Sequence, residues 1–323
     1  MPKASLLIIG KTPPPLGGVA VHIQRLLFNL RRDNIPFESV SLSLPGLRTF
    51  IYKYFRAGVV HLNTSNVYAR MALTLLSFLT KKKHINTYHG NLGNKGGLKN
   101  LADRISISLA TRPVVLNEDA RSFALRYNEK TVKISAFIPP PFEEALSEEI
   151  KHKISVLRSS YGIIYSTNAY GLMYDAGKNE IYGIMSLIGL FSQLCDRALI
   201  LSDPGASYKK YLEKNGIKLT PNVLMISEAH SFFEILKLSD CYLRNTSTDG
   251  DSISIKEALY LGKAVIATDC VQRPRGVTLC KTNDPLDLLE RVKKMDAKGN
   301  SYVSYPVRDG YMDLRKIYQE LTK

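Results

Sequence analysis

Short apolar runs alternate along the chain with longer stretches whose apolar residues recur at helical spacing, the pattern of parallel strands joined by crossover helices. In the first half the runs at Ser5 to Ile9, Phe37 to Ser43, Val59 to Leu62, His84 to Tyr88, Val114 to Leu116 and Val132 to Ile134 read as strands. Helices are expected between them at Val19 to Arg31, Tyr68 to Leu79, Leu98 to Leu109 and Asp119 to Tyr127. The alternation breaks at Phe137 to Phe142, where three prolines forbid helix and favour an extended linker. After a further helical stretch it restarts, with strands at Ile163 to Thr167, Ala198 to Ser202, Val223 to Ile226, Cys241 to Arg244 and Ala264 to Thr268. Glu180 to Leu194, Ser207 to Asn215, Ser231 to Leu238 and Ser252 to Leu261 are the matching helices.

This reading gives an α/β chain of two doubly wound, Rossmann-like domains, the first spanning about residues 1–140 and the second about 141–309. A length of 323 residues suits two such domains, each large enough for its own core. Doubly wound sheets bind ligands beyond the carboxyl ends of their strands, so two facing domains are expected to enclose a cleft lined by loops.

The net charge of +15 is unevenly spread. Residues 1–140 hold 20 Lys and Arg against 6 Asp and Glu, while 141–323 hold 24 against 23. The first half is therefore expected to face a polyanion, either nucleic acid or an anionic membrane. No helix-turn-helix, zinc or RNP-type signature supports nucleic acid. The four cysteines, Cys195, Cys241, Cys270 and Cys280, include no CxxC pair, so zinc and redox readings lack support and buried free thiols are expected. The start of the sequence lacks the apolar core of a signal peptide, and the longest apolar run, near Met71 to Leu79, is too short for a bilayer span. A cytoplasmic location is the expectation, with peripheral attachment to the inner face of a membrane.

Three places hold candidate chemistry. Gly17 and Gly18 stand just before the first helix, where bare backbone can approach a phosphate or a sugar hydroxyl; a tight strand-to-helix connection is the other reading. The triplet at Gly10 to Thr12 is no Walker loop, because Ser5 stands where the first glycine of that motif would be, and no GxGxxG is present. His89, followed by Gly90, falls at the carboxyl end of a strand and can bond a substrate hydroxyl or serve as a loop anchor, whereas His61 lies within a strand and reads as core. In the third place, Arg244 to Asp269, a strand ends in polar residues, a short acidic loop follows, and Asp251 or Ser252 can cap a helix whose free amides suit a diphosphate. Ile253 and Ser254 supply those amides. Asp249 and Glu257, eight residues apart, can then face one ligand, one accepting from sugar hydroxyls and the other from a ribose.

With these residues in this order, the sequence resembles the retaining family-four glycosyltransferases of the GT-B fold, particularly the bacterial polysaccharide and lipopolysaccharide enzymes. The resemblance runs from Gly17-Gly18 through His89-Gly90 to the stretch DGDSISIKEALYLGKAVIATD and the RPRG at Arg273 to Gly276. It implies transfer of a sugar from a nucleotide-diphosphate sugar to a lipid-linked or polysaccharide acceptor, with retention of configuration and without metal or other cofactor. It places the donor on the second domain and the acceptor on the first, with a closing helix near Leu314 to Leu321, in about 310–323, crossing back to the first. Two positions depart from the family pattern. Asp249 stands where the first Glu of a Glu-x7-Glu pair is usual, and Tyr182-Gly183 stands where Lys-Gly is usual. The diphosphate charge must then be met elsewhere, first by Arg244, with Lys178, Arg273 and Arg275 as further candidates.

The basic first half gains a role from the same resemblance. Lys53 and Arg56 are interleaved with aromatics, Lys81, Lys82 and Lys83 form a compact run, and these five are expected to meet an anionic leaflet near a lipid-linked acceptor. The segment around Lys53 also reads as an amphipathic helix that packs its rings inward. A nucleotide-sugar epimerase on the same fold and a non-catalytic nucleotide-sugar binding protein are the competing functions.

Overall fold

The computed structural model describes residues 6–13, 17–42, 46–93, 96–141, 145–175, 177–295 and 306–322. The chain divides into two compact units, one of Met1–Pro141 with Arg308–Lys323 and the other of Phe142–Val307.

In the first unit the strands are β1 (Leu6–Ile9), β2 (Phe37–Val40), β3 (Val59–Asn63), β4 (Lys83–Tyr88), β5 (Arg112–Val115) and β6 (Val132–Lys133). The helices are α1 (Gly18–Arg32), α2 (Leu47–Arg56), α3 (Val67–Leu79), α4 (Gly97–Leu109) and α5 (Glu118–Leu125), with α12 (Gly310–Thr322) returning from the far end of the sequence. The strands form one parallel sheet in the order β2-β1-β3-β4-β5-β6. The first strand runs Leu6 to Ile9 without a polar break and is buried on both faces, as expected of a strand covered on each side by helices.

The segment around Lys53 is the helix α2, and it packs Phe50 and Tyr54 into the core beside Leu73 and Leu76 of α3. The opening of the proline-rich linker is core as well. Phe137 and Ile138 are buried, and α1 holds their backbone through His22 Nδ1 to Ala136 O at 2.7 Å and Arg25 Nη1 to Ile138 O at 3.1 Å.

The returning helix α12 is bound by several polar contacts. Tyr318 hydroxyl lies 2.6 Å from His61 Nδ1, Tyr311 hydroxyl donates to Asp33 at 2.7 Å, and Lys83 Nζ donates to Leu321 O at 2.7 Å. Its apolar side, with Leu314, Ile317 and Leu321, is buried.

The second unit starts with α6 (Glu148–Ser160). Its strands are β7 (Ile163–Asn168), β8 (Arg197–Ser202), β9 (Val223–Ile226), β10 (Cys241–Arg244), β11 (Ala264–Thr268) and β12 (Thr278–Cys280). Between and after them come α7 (Ile184–Phe191), α8 (Ser207–Lys214), α9 (Phe232–Leu238), α10 (Ile253–Tyr260) and α11 (Pro285–Lys293). The parallel sheet runs β12-β11-β10-β7-β8-β9. One face packs against α7, α8 and α11 around Tyr165, Phe191 and Tyr208, and the other against α6 and α9 around Ile164, Ile200 and Ile235.

Most strand and helix positions agree with the periodicity to within a residue or two. The helix expected over Glu180 to Leu194 differs, because α7 begins only at Ile184. Gly183 turns left-handed at φ +56, and Glu180 stays outside the helix as its cap, accepting from Ile184 N at 2.7 Å and Met185 N at 3.2 Å. Neither β12 nor α11 was apparent from the apolar pattern, β12 being only three residues long. The signal for α11 is local: Asp284 caps the amides of Leu286 and Asp287, and Pro285 opens the first turn.

Candidate functional site

In each sheet the strand order reverses beside the first strand of the unit, and the crevice at such a reversal is where doubly wound sheets hold ligands. In the second unit the reversal lies between β7 and β10. Asn168 ends β7, Arg244 ends β10, and α10 starts nine residues further on. These elements are knitted together at this point. Tyr242 hydroxyl donates to Asn168 Oδ1 at 2.7 Å, and Asn168 Nδ2 donates to Ser254 Oγ at 3.2 Å. Ser252 caps α10, its hydroxyl accepting from Ile255 N at 3.4 Å.

Arg244 and Asp249 form a two-pronged pair, Nε to Oδ2 at 2.9 Å and Nη2 to Oδ1 at 2.8 Å. Arg273 adds a third bond, Nη1 to Asp249 Oδ2 at 2.8 Å. The group carries a net charge of +1, two guanidiniums against one carboxylate. Burial by itself would raise the pKa of Asp249, but Arg244 and then Arg273 overcome it and hold the carboxyl down to about 2. Arg273 is fully engaged, since it also donates from Nε to Thr268 O at 2.9 Å and its side chain is 2% exposed. The Arg244 side chain is 12% exposed and its guanidinium lies 5.3 Å from the centre of the Tyr182 ring. Thus the Tyr182 ring supports the guanidinium through its face.

Glu257 lies on the second turn of α10 and is buried at 4% exposure. Asp251 pairs with Lys256 of the same helix. Of the other expected cations, Lys178 occupies an exposed turn at φ +61, its amide bonded to Asp175 O at 3.0 Å, and Arg275 is exposed. Arg273, by contrast, joins the Arg244 group directly.

Asn245 fixes the loop after β10 against the start of α7, donating to Gly183 O at 3.1 Å. A Cβ at Gly183 would come within 2.4 Å of that amide. Asn168, Asn245 and Glu180 were not singled out in the sequence. Each works through a partner tens of residues away, apart from Glu180, whose spacing ahead of an apolar run was a readable capping signal.

In the first unit the sheet order reverses between β1 and β3. Gly17 is the N-cap of α1 and Gly18 its first residue, which places the glycine pair at the amino end of the helix that follows β1. His89, directly after β4, lies 3.1 Å through Nε2 from Asn63 Oδ1 at the end of β3, and its ring meets that of His22 edge-on at 5.4 Å. Desolvation, with smaller contributions from His22, His61 and Arg70, holds His89 well below the usual imidazole range, so it is neutral at pH 7. With Nε2 donating to the Asn63 amide oxygen, Nδ1 keeps its lone pair and can accept a hydrogen bond. His61 is core, bonded to Tyr318 and through Nε2 to Thr87 Oγ1 at 2.7 Å.

The five basic residues expected at a leaflet are partly engaged within the unit. Lys53 Nζ donates to Ser39 O at 2.9 Å, Lys82 Nζ to Ala57 O at 2.6 Å, Lys83 to α12, and Arg56 to Tyr52 hydroxyl at 2.6 Å, while Lys81 is exposed. No helix among the described residues is long and apolar enough to cross a membrane.

No protein-family model matches the sequence, nor does any curated protein. Solved structures do match in fold. HepE of Anabaena in complex with UDP-glucose superposes with a TM-score of 0.68 at 13% identity, covering 98% of both chains. A glycosyltransferase from Rickettsia africae superposes with a TM-score of 0.68 at 15% identity, covering 100% of both. The UDP-GlcNAc 2-epimerase of Methanocaldococcus jannaschii follows with a TM-score of 0.55 at 12% identity, over 97% of this chain and 99% of its own. The chain has the α/β GT-B fold, with one parallel six-stranded sheet in each unit.

Proposed function

We propose that the protein is a glycosyltransferase that moves a sugar from a nucleotide-diphosphate sugar to a lipid-linked or glycan acceptor at the inner, cytoplasmic face of a membrane. The reading that supports retention of configuration and independence from metal is the resemblance of the Arg244 to Asp269 stretch to retaining enzymes. The observation that carries the proposal is the Arg244–Asp249–Arg273 group at the sheet reversal of the second unit, net positive and beside the amino end of α10. A pyrophosphate needs such a site, with helix amides and a guanidinium held in place before the ligand arrives.

In this reading Arg244 and the amides of Ile253 and Ser254 meet the diphosphate, and Glu257 accepts from a sugar or ribose hydroxyl. Asp249 is a positioning residue that aims Arg244, since both of its oxygens already accept guanidinium donors. On the first unit, neutral His89 accepts through Nδ1 from an acceptor or donor hydroxyl, and Gly17 and Gly18 let a phosphate or sugar hydroxyl of the donor approach the backbone. HepE has been solved with UDP-glucose, which makes a uridine nucleotide the first donor to test.

A thermal-shift series over UDP-, GDP- and ADP-sugars is the direct experiment. One nucleotide sugar is expected to raise the melting temperature, by the equivalent of about 3 kcal/mol at a hundredfold excess over its dissociation constant. Glu257→Ala and Arg244→Gln are expected to abolish the shift. If no nucleotide sugar stabilises the protein, or the variants respond like wild type, the donor site is elsewhere. The match to an epimerase keeps a second reading open, and incubation with donor alone separates the two: an epimerase converts the sugar with no acceptor, whereas a transferase releases nucleotide only when acceptor is added.

A further inference from the structure

A long stretch of the first unit's sequence carries no negative charge. Between Ser39 and Ala102 the sequence has no Asp or Glu at all, against nine Lys and Arg. This stretch builds α2 and α3 and the start of α4. Among the described residues, ten of the twenty-one large hydrophobic side chains left exposed fall on it, from Leu47 to Leu101. An exposed apolar patch of this kind marks an interaction surface.

The patch is concentrated where α2 and α3 end together. Tyr54 hydroxyl lies 3.2 Å from Ser77 Oγ and 2.8 Å from Thr80 Oγ1, and Lys82 Nζ donates to Phe55 O at 3.2 Å, which ties the two helix ends and the turn after α3 into one corner. At this corner Tyr52 is 60% exposed, Phe55 59%, Phe78 57% and Leu79 75%. Arg48 and Lys81 are exposed, and Arg56 rests against the Tyr52 ring. Lys53, Lys82 and Lys83, by contrast, donate to backbone carbonyls, which turns their ammonium groups toward the protein.

We infer that this corner inserts into an anionic lipid bilayer, with Tyr52, Phe55, Phe78 and Leu79 entering the headgroup and upper acyl region and Arg48, Arg56 and Lys81 meeting lipid phosphates. The inference deepens the membrane part of the function proposed above and rests on that part alone. Large apolar tips ringed by cations suit the interface of a bilayer, where rings sit at headgroup level and each cation adds attraction to anionic lipid. A nucleic-acid duplex presents phosphates and groove edges but no apolar surface to receive four bared side chains. A second copy docking on the same face would set cations against cations.

The test is flotation of the full chain with vesicles of phosphatidylcholine alone or with about one third phosphatidylglycerol, at about 0.1 M and about 0.5 M salt. Wild type is expected to float with the anionic vesicles at low salt and to lose at least tenfold in partitioning in neutral vesicles or high salt. A variant combining Tyr52→Ser, Phe55→Ser, Phe78→Ser and Leu79→Ser is expected to lose at least tenfold as well. Lys81→Glu, an exposed single change, is expected to weaken flotation severalfold and decides the matter should the quadruple variant fold poorly. Nucleotide-sugar thermal shifts measured on the same samples report on the second unit, so loss of flotation and loss of donor binding are read separately. Equal binding to neutral vesicles, flotation unaffected by Lys81→Glu, or sedimentation showing a dimer that the quadruple variant dissociates would each overturn the inference.

Discussion

At the scale of single residues, Asp249 decides the character of the proposed donor site. Its carboxylate is almost out of water and bridges two guanidiniums, so removing the charge while keeping the shape leaves two cations facing each other in a half-desolvated pocket. Asp249→Asn is expected to destabilise the protein by about 3 kcal/mol, read from the urea midpoint, and to weaken donor binding because Arg244 is no longer aimed. The acid dependence has a definite sign. A carboxyl held at about 2 in the folded state, against 3.8 unfolded, contributes stability that is present above 3.8 and fades as pH falls toward 2. The sequence located this stretch, because a polar strand end, an acidic loop and a capped helix lie within twenty-six residues of one another. It could not show that Tyr182 lies beside Arg244, since 62 residues separate them, nor that both oxygens of Asp249 accept from arginine.

At the scale of elements, the start of α7 shows what periodicity can and cannot give. The apolar spacing placed a helix there, but its amino end depends on Gly183, which adopts a left-handed φ and presses against Asn245. Gly183→Ala combines a backbone penalty of about 1 kcal/mol with a Cβ that would sit 2.4 Å from the Asn245 amide, and since that residue also carries the loop after β10, relief has to disturb the site. A loss of about 2–4 kcal/mol is expected, with a lower melting temperature and weaker nucleotide-sugar binding together. Melting unchanged from wild type would show that the loop yields freely. The strands were legible because parallel strands buried on both faces read as unbroken apolar runs, as in Leu6 to Ile9 and Ala264 to Thr268. Short β12 carries too little pattern to be seen.

At the scale of the whole molecule, histidines set a limit on acid stability. His84 is fully buried, and its pKa is lowered to about 4 by desolvation, despite a hydrogen bond that its Nε2 donates to Asn86 Oδ1 and that favours the charged form. A base depressed in this way is folded in its neutral form, so its contribution is complete above the unfolded value of 6.5 and is lost as pH falls from 6.5 toward 4. From His84 alone the protein is expected to lose about 2 kcal/mol between pH 7 and pH 5, and His61 and His89 act in the same direction. Urea titrations at the two pH values check this, and His84→Gln is expected to flatten the difference.

The return of α12 bears on how such a chain is made. Because the first unit takes in Arg308–Lys323, a ribosome must translate all of the second unit before the first can seal Tyr318 against His61. The amino-terminal half therefore emerges early but matures late, waiting with an open flank while its successor folds ahead of it. Released chains truncated after residue 307 are expected to yield a protease-resistant second unit and a protease-sensitive first one, and the reverse pattern would show that the first unit closes without its borrowed helix.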